Sequence, residues 1–465
     1  MDPNYRTRSA ARPAQRDGLK ARVEVLITQG SASLRPGPQS VALARLIWAT
    51  RVVQQWLIAI FSPVFTAALA AAVCHATLTA QPIFHLFGSA GNETHWTPAA
   101  KKSPLNPGNF LNLPSRSDSS DVTLFGEVSP EDKAWKLHLK LRASGEWNRN
   151  STSRVDMSEF YWNVSITSWL DIQVGRSIEK WGTGYAWNPT GVVNPPKNPA
   201  DPNDRRSAYR GVDNARVDLF VKNWNVSLLA APEIDWEGKH GKHLLSTGWA
   251  ARAYRLVNGV DFSLNASGGS GLPNSQGLSL ARVFGNALEL HAEAAAFQDT
   301  LRYAPGDGGF ERQKRPHQEI LLGGQYTFPK NVNLVVEFFS TGAGLNKQEW
   351  SRFRRLVQSS QQELRQGDPR WLLQANRYFV PLTMGKTYSF ARLYAPFYRD
   401  KLEGEMIVIS SLRDGSSVIR PAVYWKIFPN WSLYWIQSEF LGGSASEFGQ
   451  IQVRRTSDFG VRYHF

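Results

Sequence analysis

The chain has 465 residues, a formal net charge of +14 and a mean hydropathy of -0.35. That polarity excludes a bundle of membrane-spanning helices. The single cysteine, Cys74, excludes a disulfide framework or a cysteine-based metal site.

Residues 1–80 read as targeting sequence. Met1 to Ser40 is polar and Arg-rich, with no hydrophobic period. Arg45 and Arg51 then precede the apolar run Trp56 to Cys74, and small residues follow, with Ala76 or Ala80 placed just before a cleavage point. Basic, then apolar, then small is the order of a secretory signal peptide; the competing reading is a single membrane anchor. These 80 residues hold nine Lys/Arg and three Asp/Glu, so they carry +6 of the charge and leave +8 for the rest. The remaining basic residues are spread along the chain, which speaks against a nucleic-acid patch and for a basic lumen or contact with anionic lipid headgroups. Residues 81–133 are rich in Gly, Pro, Asn and Ser and are expected to be a flexible lead-in or plug segment, with a short strand at Asp121 to Val128.

From Ala134 to Phe465 a period of two recurs. Leu137, Leu139, Leu141 and Ala143 alternate with His138, Lys140, Arg142 and Ser144. The same alternation runs through 215–222, 260–267, 288–295 and 332–338, each stretch long enough to cross a bilayer as a tilted strand. The connections alternate as well. Short turns such as Val257-Asn-Gly259 and Phe428-Pro-Asn430 take turns with long segments, the longest being Glu179 to Gly211 and Thr341 to Lys386. A soluble sandwich has no reason to keep that parity, whereas an outer-membrane barrel keeps it by construction. The final strand, Ser457 to Phe465, puts Phe459, Val461, Tyr463 and Phe465 on one face and Asp458, Gly460, Arg462 and His464 on the other. Trp147, Trp162, Trp169, Trp224, Trp249, Trp425, Trp431 and Trp435 fall near strand ends, where interfacial girdles belong. The expected fold is therefore all-β, a transmembrane antiparallel barrel of about 16 strands (roughly 14 to 18), with a small helical loop insertion.

Two resemblances add to this reading. The aromatic-terminated last strand resembles the closing strand of bacterial outer-membrane β-barrels. That implies a place in the outer membrane, contact with lipid and lipopolysaccharide, and recognition of Phe465 by the barrel-assembly machinery. The run from Gly175 through Trp181-Gly-Thr-Gly-Tyr-Ala-Trp-Asn-Pro-Thr190 to Pro195 resembles a segment of poorly characterised outer-membrane barrels, distantly similar to alginate- and capsule-related export porins. It implies a scaffold and no particular solute.

Two loops are candidates for specificity, because a rigid scaffold usually places it on loops. In the first, Trp181, Tyr185, Trp187, Asn188, Arg205 and Arg206 could meet a solute, the alternative being a self-packed loop that closes the mouth. In the second, Asn346 and Glu349 form a possible capping box ahead of Trp350, Phe353 and Val357, and this helical loop is the one expected to constrict the pore. The expected lumen lining is Lys140, Arg142, Arg216, Asp218, Lys222, Glu289, Glu293, Glu337, Arg420 and Arg462, whose cationic excess implies a mild anion preference. No catalytic motif of the Gly-x-Ser-x-Gly kind and no nucleotide-binding fingerprint is present. His240 and His243 are a poor metal signal. The expectation is a porin-like channel for small or oligomeric polar solutes, not an enzyme, with no cofactor and no metal. The runner-up is a closed barrel acting in polysaccharide export, assembly or adhesion, and a barrel-embedded hydrolase comes third.

Overall fold

The structure is a computed structural model that describes residues 82–465 apart from 132, 149–150, 206–207, 235–243, 307–308 and 399–400. The expected signal segment, Arg206, His240 and His243 lie outside the described residues.

Among the described residues there are eighteen strands. They are β1 (Ile83–Trp96), β2 (Arg116–Ser129), β3 (Trp135–Trp147), β4 (Thr152–Thr167), β5 (Leu170–Ser177), β6 (Val212–Val221), β7 (Trp224–Ile234), β8 (Leu244–Val257) and β9 (Val260–Gly269) in the first half. The second half has β10 (Ser275–Phe284), β11 (Leu288–Gly306), β12 (Gly309–Thr327), β13 (Asn333–Thr341), β14 (Thr387–Phe397), β15 (Leu402–Ser411), β16 (Ser417–Phe428), β17 (Trp431–Leu441) and β18 (Arg455–His464). Each pairs antiparallel with its chain neighbour, and β18 pairs with β1, so the sheet closes and leaves no free edge.

The count is eighteen rather than about sixteen because the expected lead-in, 81–133, supplies β1 and β2. Only Asp121 to Val128 reads as a strand there, and over the rest the alternation that betrays one fails. The outward positions of these strands include Gly88, Ala90, Asn92 and Thr94 on β1 and Asp118 and Ser120 on β2, so both faces are polar or small over those stretches. The closing strand accordingly pairs with β1, in register Ser89 with His464 through Trp96 with Ser457, and not with Leu137 to Ala143. The carbonyl of Phe465 accepts from Gly88 N at 2.8 Å and its own N–H donates to Gly88 O at 3.0 Å.

The turns after β2, β4, β6, β8, β10, β12, β14 and β16 are short and share one rim with both ends of the barrel wall. Asn258 and Gly259 both take positive φ there (49° and 75°), as a two-residue hairpin turn requires. The opposite rim carries the long loops, although the connections after β3, β9, β11 and β15 are also brief.

Burial is inverted relative to a soluble protein. Large apolar side chains point outward and stay exposed, among them Leu228, Leu264, Leu290, Leu322, Val336 and Leu393. Their strand neighbours on the inner face are charged or polar and buried, including Glu93, Asp121, Lys140, Asp218, His291, Glu293, Glu337, Glu405 and Arg462. An apolar outer wall around a polar interior is the arrangement a bilayer selects, since hydrocarbon solvates no charge and no open sheet edge. Trp249, Trp425 and Trp431 are exposed on strands, and Trp169 is exposed in the turn after β4.

The helical loop between β13 and β14 holds α1 (Lys347–Arg365) and α2 (Arg370–Tyr378). The capping box forms in full: Asn346 Oδ1 accepts from Glu349 N at 2.8 Å and Glu349 Oε2 accepts from Asn346 N at 2.9 Å. Trp350, Phe353 and Val357 repeat at helical spacing and are buried, together with Leu372 and Ala375 of α2. They pack against Leu105 and Phe110 of the β1–β2 loop, Phe310 of β12, and Phe448 and Ile451 of the β17–β18 loop. This loop thus binds the long-loop rim together.

Candidate functional site

The segment that enters the lumen is the other loop, 178–211, described apart from 206–207. It leaves β5 and is held by side chains on the far wall. Glu293 on the inner face of β11 accepts the N–H of Thr183 at 2.5 Å and of Gly184 at 2.6 Å on one oxygen. Its other oxygen accepts Thr190 N at 3.0 Å and Thr190 Oγ1 at 2.8 Å. Glu337 on β13 accepts Tyr185 N at 2.5 Å and Ala186 N at 2.8 Å, and His291 Nε2 lies 2.9 Å from it. Two buried carboxylates therefore take the backbone amides of five loop residues, and charge-assisted bonds of this kind are the strong ones.

The loop's sequence explains why it can dock so closely. Gly182 has φ +85°, and a Cβ there would meet the Asn188 side chain at 1.8 Å. At Gly184 a Cβ would meet Trp187 O at 2.1 Å and Leu321 Cδ2 at 2.3 Å. Both positions need glycine, the first for its conformation and the second for the approach of backbone to the β12 wall. Lys197 donates to the Gly184 carbonyl, and burial pulls its ammonium below the usual lysine range, opposed by the nearby charges of Glu293 and Glu337. Arg205 continues across the lumen. Its guanidinium lies 4.0 Å from the centre of the Tyr424 ring and reaches Glu405 at 3.4 Å.

Among the described candidate loop-binding residues, Trp181, Tyr185, Trp187 and Asn188 are engaged in the loop's docking. Trp181 is 3% exposed and packs with Val193, Leu229, Ala231 and Ala250. Trp187 stacks on Phe339 with ring centres 5.1 Å apart and also meets Tyr388 and Phe390. Tyr185 lies beside Phe390, under the guanidinium of Arg392 at 5.3 Å, and donates to Asn203 Oδ1 at 2.9 Å. Asn188 donates to Trp181 O at 2.5 Å. Loop 178–211 thus packs on itself and on the barrel wall. It closes across the lumen, the task expected of the helical loop. Phe339 of β13 and Tyr388 and Phe390 of β14 give it an apolar docking surface, in the same buried cluster as Trp350 and Phe353 of the helical loop.

Nine of the ten expected lining positions face the lumen. Lys222 is the exception, an exposed turn residue on the short-turn rim with φ 54°. Glu293 and Glu337 anchor the loop and do not line a free channel. Four cations meet acids that the sequence reading did not place inside. Lys140 is 3.9 Å from Glu159 and 4.0 Å from Asp204, and Arg420 is 3.6 Å from Glu405. Arg462 makes a two-pronged bond to Asp121 at 2.8 and 2.9 Å. Arg216 pairs with Asp218 at 2.8 Å and with Glu179. Arg142 faces inward with its buried Nε unpartnered, and Glu289 lies 3.7 Å from His291 Nδ1. The missed acids, Asp121, Glu159, Asp204, Glu179 and Glu405, carried a signal only in the pairing register and loop path, which one strand's pattern does not reveal.

Space remains beside the inserted loop toward the short-turn rim. A cavity of about 420 Å³ is lined by Arg205, Glu403, Tyr424, Lys426, Tyr434 and Arg462. A second, of about 300 Å³, lies against Asn163, Asp171, Glu179, Arg216, Asp218 and Arg252.

The architecture is an all-β, closed antiparallel barrel with a small helical insertion and a polar, loop-crossed lumen. No protein-family model matches the chain, and no curated sequence matches it. Among solved structures it is similar to OccK5 (OpdH) of Pseudomonas aeruginosa, at 10% identity over 82% of this chain and 98% of that one, with a TM-score of 0.50. It is also similar to OccK11 (OpdR) of the same organism, at 10% identity over 83% and 96% with a TM-score of 0.46. A triple mutant of the Rhodopseudomonas blastica porin matches at 10% identity over 82% and 100%, with a TM-score of 0.41. At such identities the likeness is one of fold.

Proposed function

We propose that this chain is a bacterial outer-membrane channel through which small polar solutes diffuse passively, past a constriction made by loop 178–211. The observation that carries the reading is the pair of buried carboxylates, Glu293 and Glu337, holding that loop across an otherwise polar lumen. In this reading the short-turn rim faces the periplasm and the long-loop rim the exterior. The outer wall meets lipid and lipopolysaccharide, and Phe465 presents the closing strand to the assembly machinery. Single-channel recording of refolded protein in planar bilayers tests it: discrete conductance steps are expected, and silence at every voltage would count against it.

The finer expectation, a mild anion preference, has less support once the cations' partners are known. Lys140, Arg216, Arg420 and Arg462 each face an acid. The proposal is therefore weak selectivity, with a reversal potential near zero in a salt gradient. A second reading is favoured by the same loop: a barrel closed by 178–211 and serving in polysaccharide export, assembly or adhesion. Intact folding without conductance would select it.

A further inference from the structure

Three metal-ligating side chains converge where the first strand meets the last. His95 of β1 and Asp458 of β18 are register partners across the seam, and Glu93 stands two residues before His95 on the same inner face. His95 Nδ1 lies 3.0 Å from Asp458 Oδ1 and 3.4 Å from Glu93 Oε1, and the three donor atoms fall within 4.8 Å of one another. Donors held about 2.0–2.2 Å from one tetrahedral zinc are roughly 3.3–3.6 Å apart, so small side-chain adjustments bring these three around an ion. The far atoms of two ligands are also held. His95 Nε2 is 3.0 Å from Ser119 Oγ, and Glu93 Oε2 accepts from Tyr434 Oη at 2.9 Å. That turns Nδ1 and Oε1 toward the shared space and is the outer-shell pattern of metal centres. Glu93 and Asp458 are both buried.

We infer that Glu93, His95 and Asp458 form a binding site for a divalent transition-metal cation, with zinc as the probe. One imidazole nitrogen and two carboxylates suit zinc, cobalt or nickel, whereas calcium takes six to eight oxygens. Three protein ligands leave a fourth position for water. Because the ligands come from β1 and β18, the ion ties together the strands that close the barrel, and binding to the folded state alone stabilises it by mass action. No local pattern in the chain pointed to this site, since its halves lie at opposite ends of the barrel sequence. The inference rests on the fold and holds whether or not the barrel conducts.

The test uses the mature barrel refolded in detergent, free of any purification tag and treated with chelator. Calorimetric titration with Zn²⁺ should show one saturable site per chain, and Co²⁺ should give the absorption of a low-symmetry nitrogen–oxygen site. His95→Ala should abolish both signals, and Ser119→Ala should weaken affinity roughly ten- to a hundredfold, while His464→Ala leaves them intact. Heat-modifiable gel mobility reports folding for each variant. If His95→Ala does not fold, Glu93→Gln carries the same expectation. Absence of saturable Zn²⁺ binding, or binding unchanged by these substitutions, overturns the proposal and leaves His95 and Asp458 as a hydrogen-bonded pair only.

Discussion

Releasing the lumen loop is the perturbation with the clearest expected consequence. Glu293→Ala removes the acceptor for three backbone N–H groups, those of Thr183, Gly184 and Thr190, together with the Thr190 hydroxyl. Each buried donor left unpaired costs about 1–3 kcal/mol. The low end applies where water can take up part of the lost bonding in a polar lumen. Three donors at that rate weaken docking by about 3 kcal/mol, or roughly a hundredfold in the ratio of docked to released loop. Glu337→Ala frees two more amides and the partner of His291. The two sites hold adjacent residues of one loop, so their effects should not add simply. Single-channel recording is the assay. Wild type should show small, steady steps, Glu293→Ala larger or flickering ones, and the double variant the largest. Glu293→Gln should fall between, since its amide keeps one oxygen and turns an NH2 toward donors. If the double variant folds and its conductance matches wild type, loop 178–211 does not control the lumen and the proposed constriction is wrong.

Other outcomes follow from the rim and the seam. Burial raises Glu447 to about 7 from an ordinary 4.5, with Tyr388, Arg413 and the N–H of Leu382 opposing the shift. A raised carboxyl pKa stabilises the folded loops fully below pH 4.5, and that contribution is lost as pH rises through 7, amounting to about 3 kcal/mol. Normalised to trypsin cleavage of an unstructured peptide at the same pH, cleavage near Arg454 should therefore be slower at about pH 5 than at about pH 8, and Glu447→Gln should remove the difference. Arg462→Ala strands buried Asp121 and should destabilise the barrel by about 3–5 kcal/mol, seen as a lower temperature of gel-mobility conversion; unchanged conversion would show that the pair contributes little. Phe353→Ala empties the centre of the α1 contact and should cost about 3–5 kcal/mol of loop packing, read as faster proteolysis of the long loops with the barrel wall intact. Deleting Phe465 should slow membrane insertion by the assembly machinery more than it slows refolding in detergent.

Much of the barrel was legible in the sequence because its wall is a local, period-two pattern. In β18, Phe459 and Val461 face out while Asp458 and Arg462 face in, as their alternation requires. The capping box at Asn346 and Glu349 was equally local, and so were the Asn-Gly and Pro-Asn turns that fix the rims. Strand β1 and the first part of β2 escaped because Gly88, Ala90, Asn92, Thr94, Asp118 and Ser120 make their outer faces too polar and small to alternate there, while Asp121 to Val128 read as a strand but not as part of the barrel wall.

What only the tertiary structure decided is which distant residues share the interior. Whether Arg462 is a free pore cation or the partner of Asp121 depends on a closure that joins the two ends of the barrel. Whether Glu293 lines a channel or clamps a loop depends on 178–211 folding inward from β5 to reach β11. The meeting of Glu93 and His95 with Asp458 depends on that same closure. Side-chain alternation is set by neighbours along a strand, so sequence alone determined which face of each strand turns inward. Partners across a lumen are set by register and closure, which no single segment encodes.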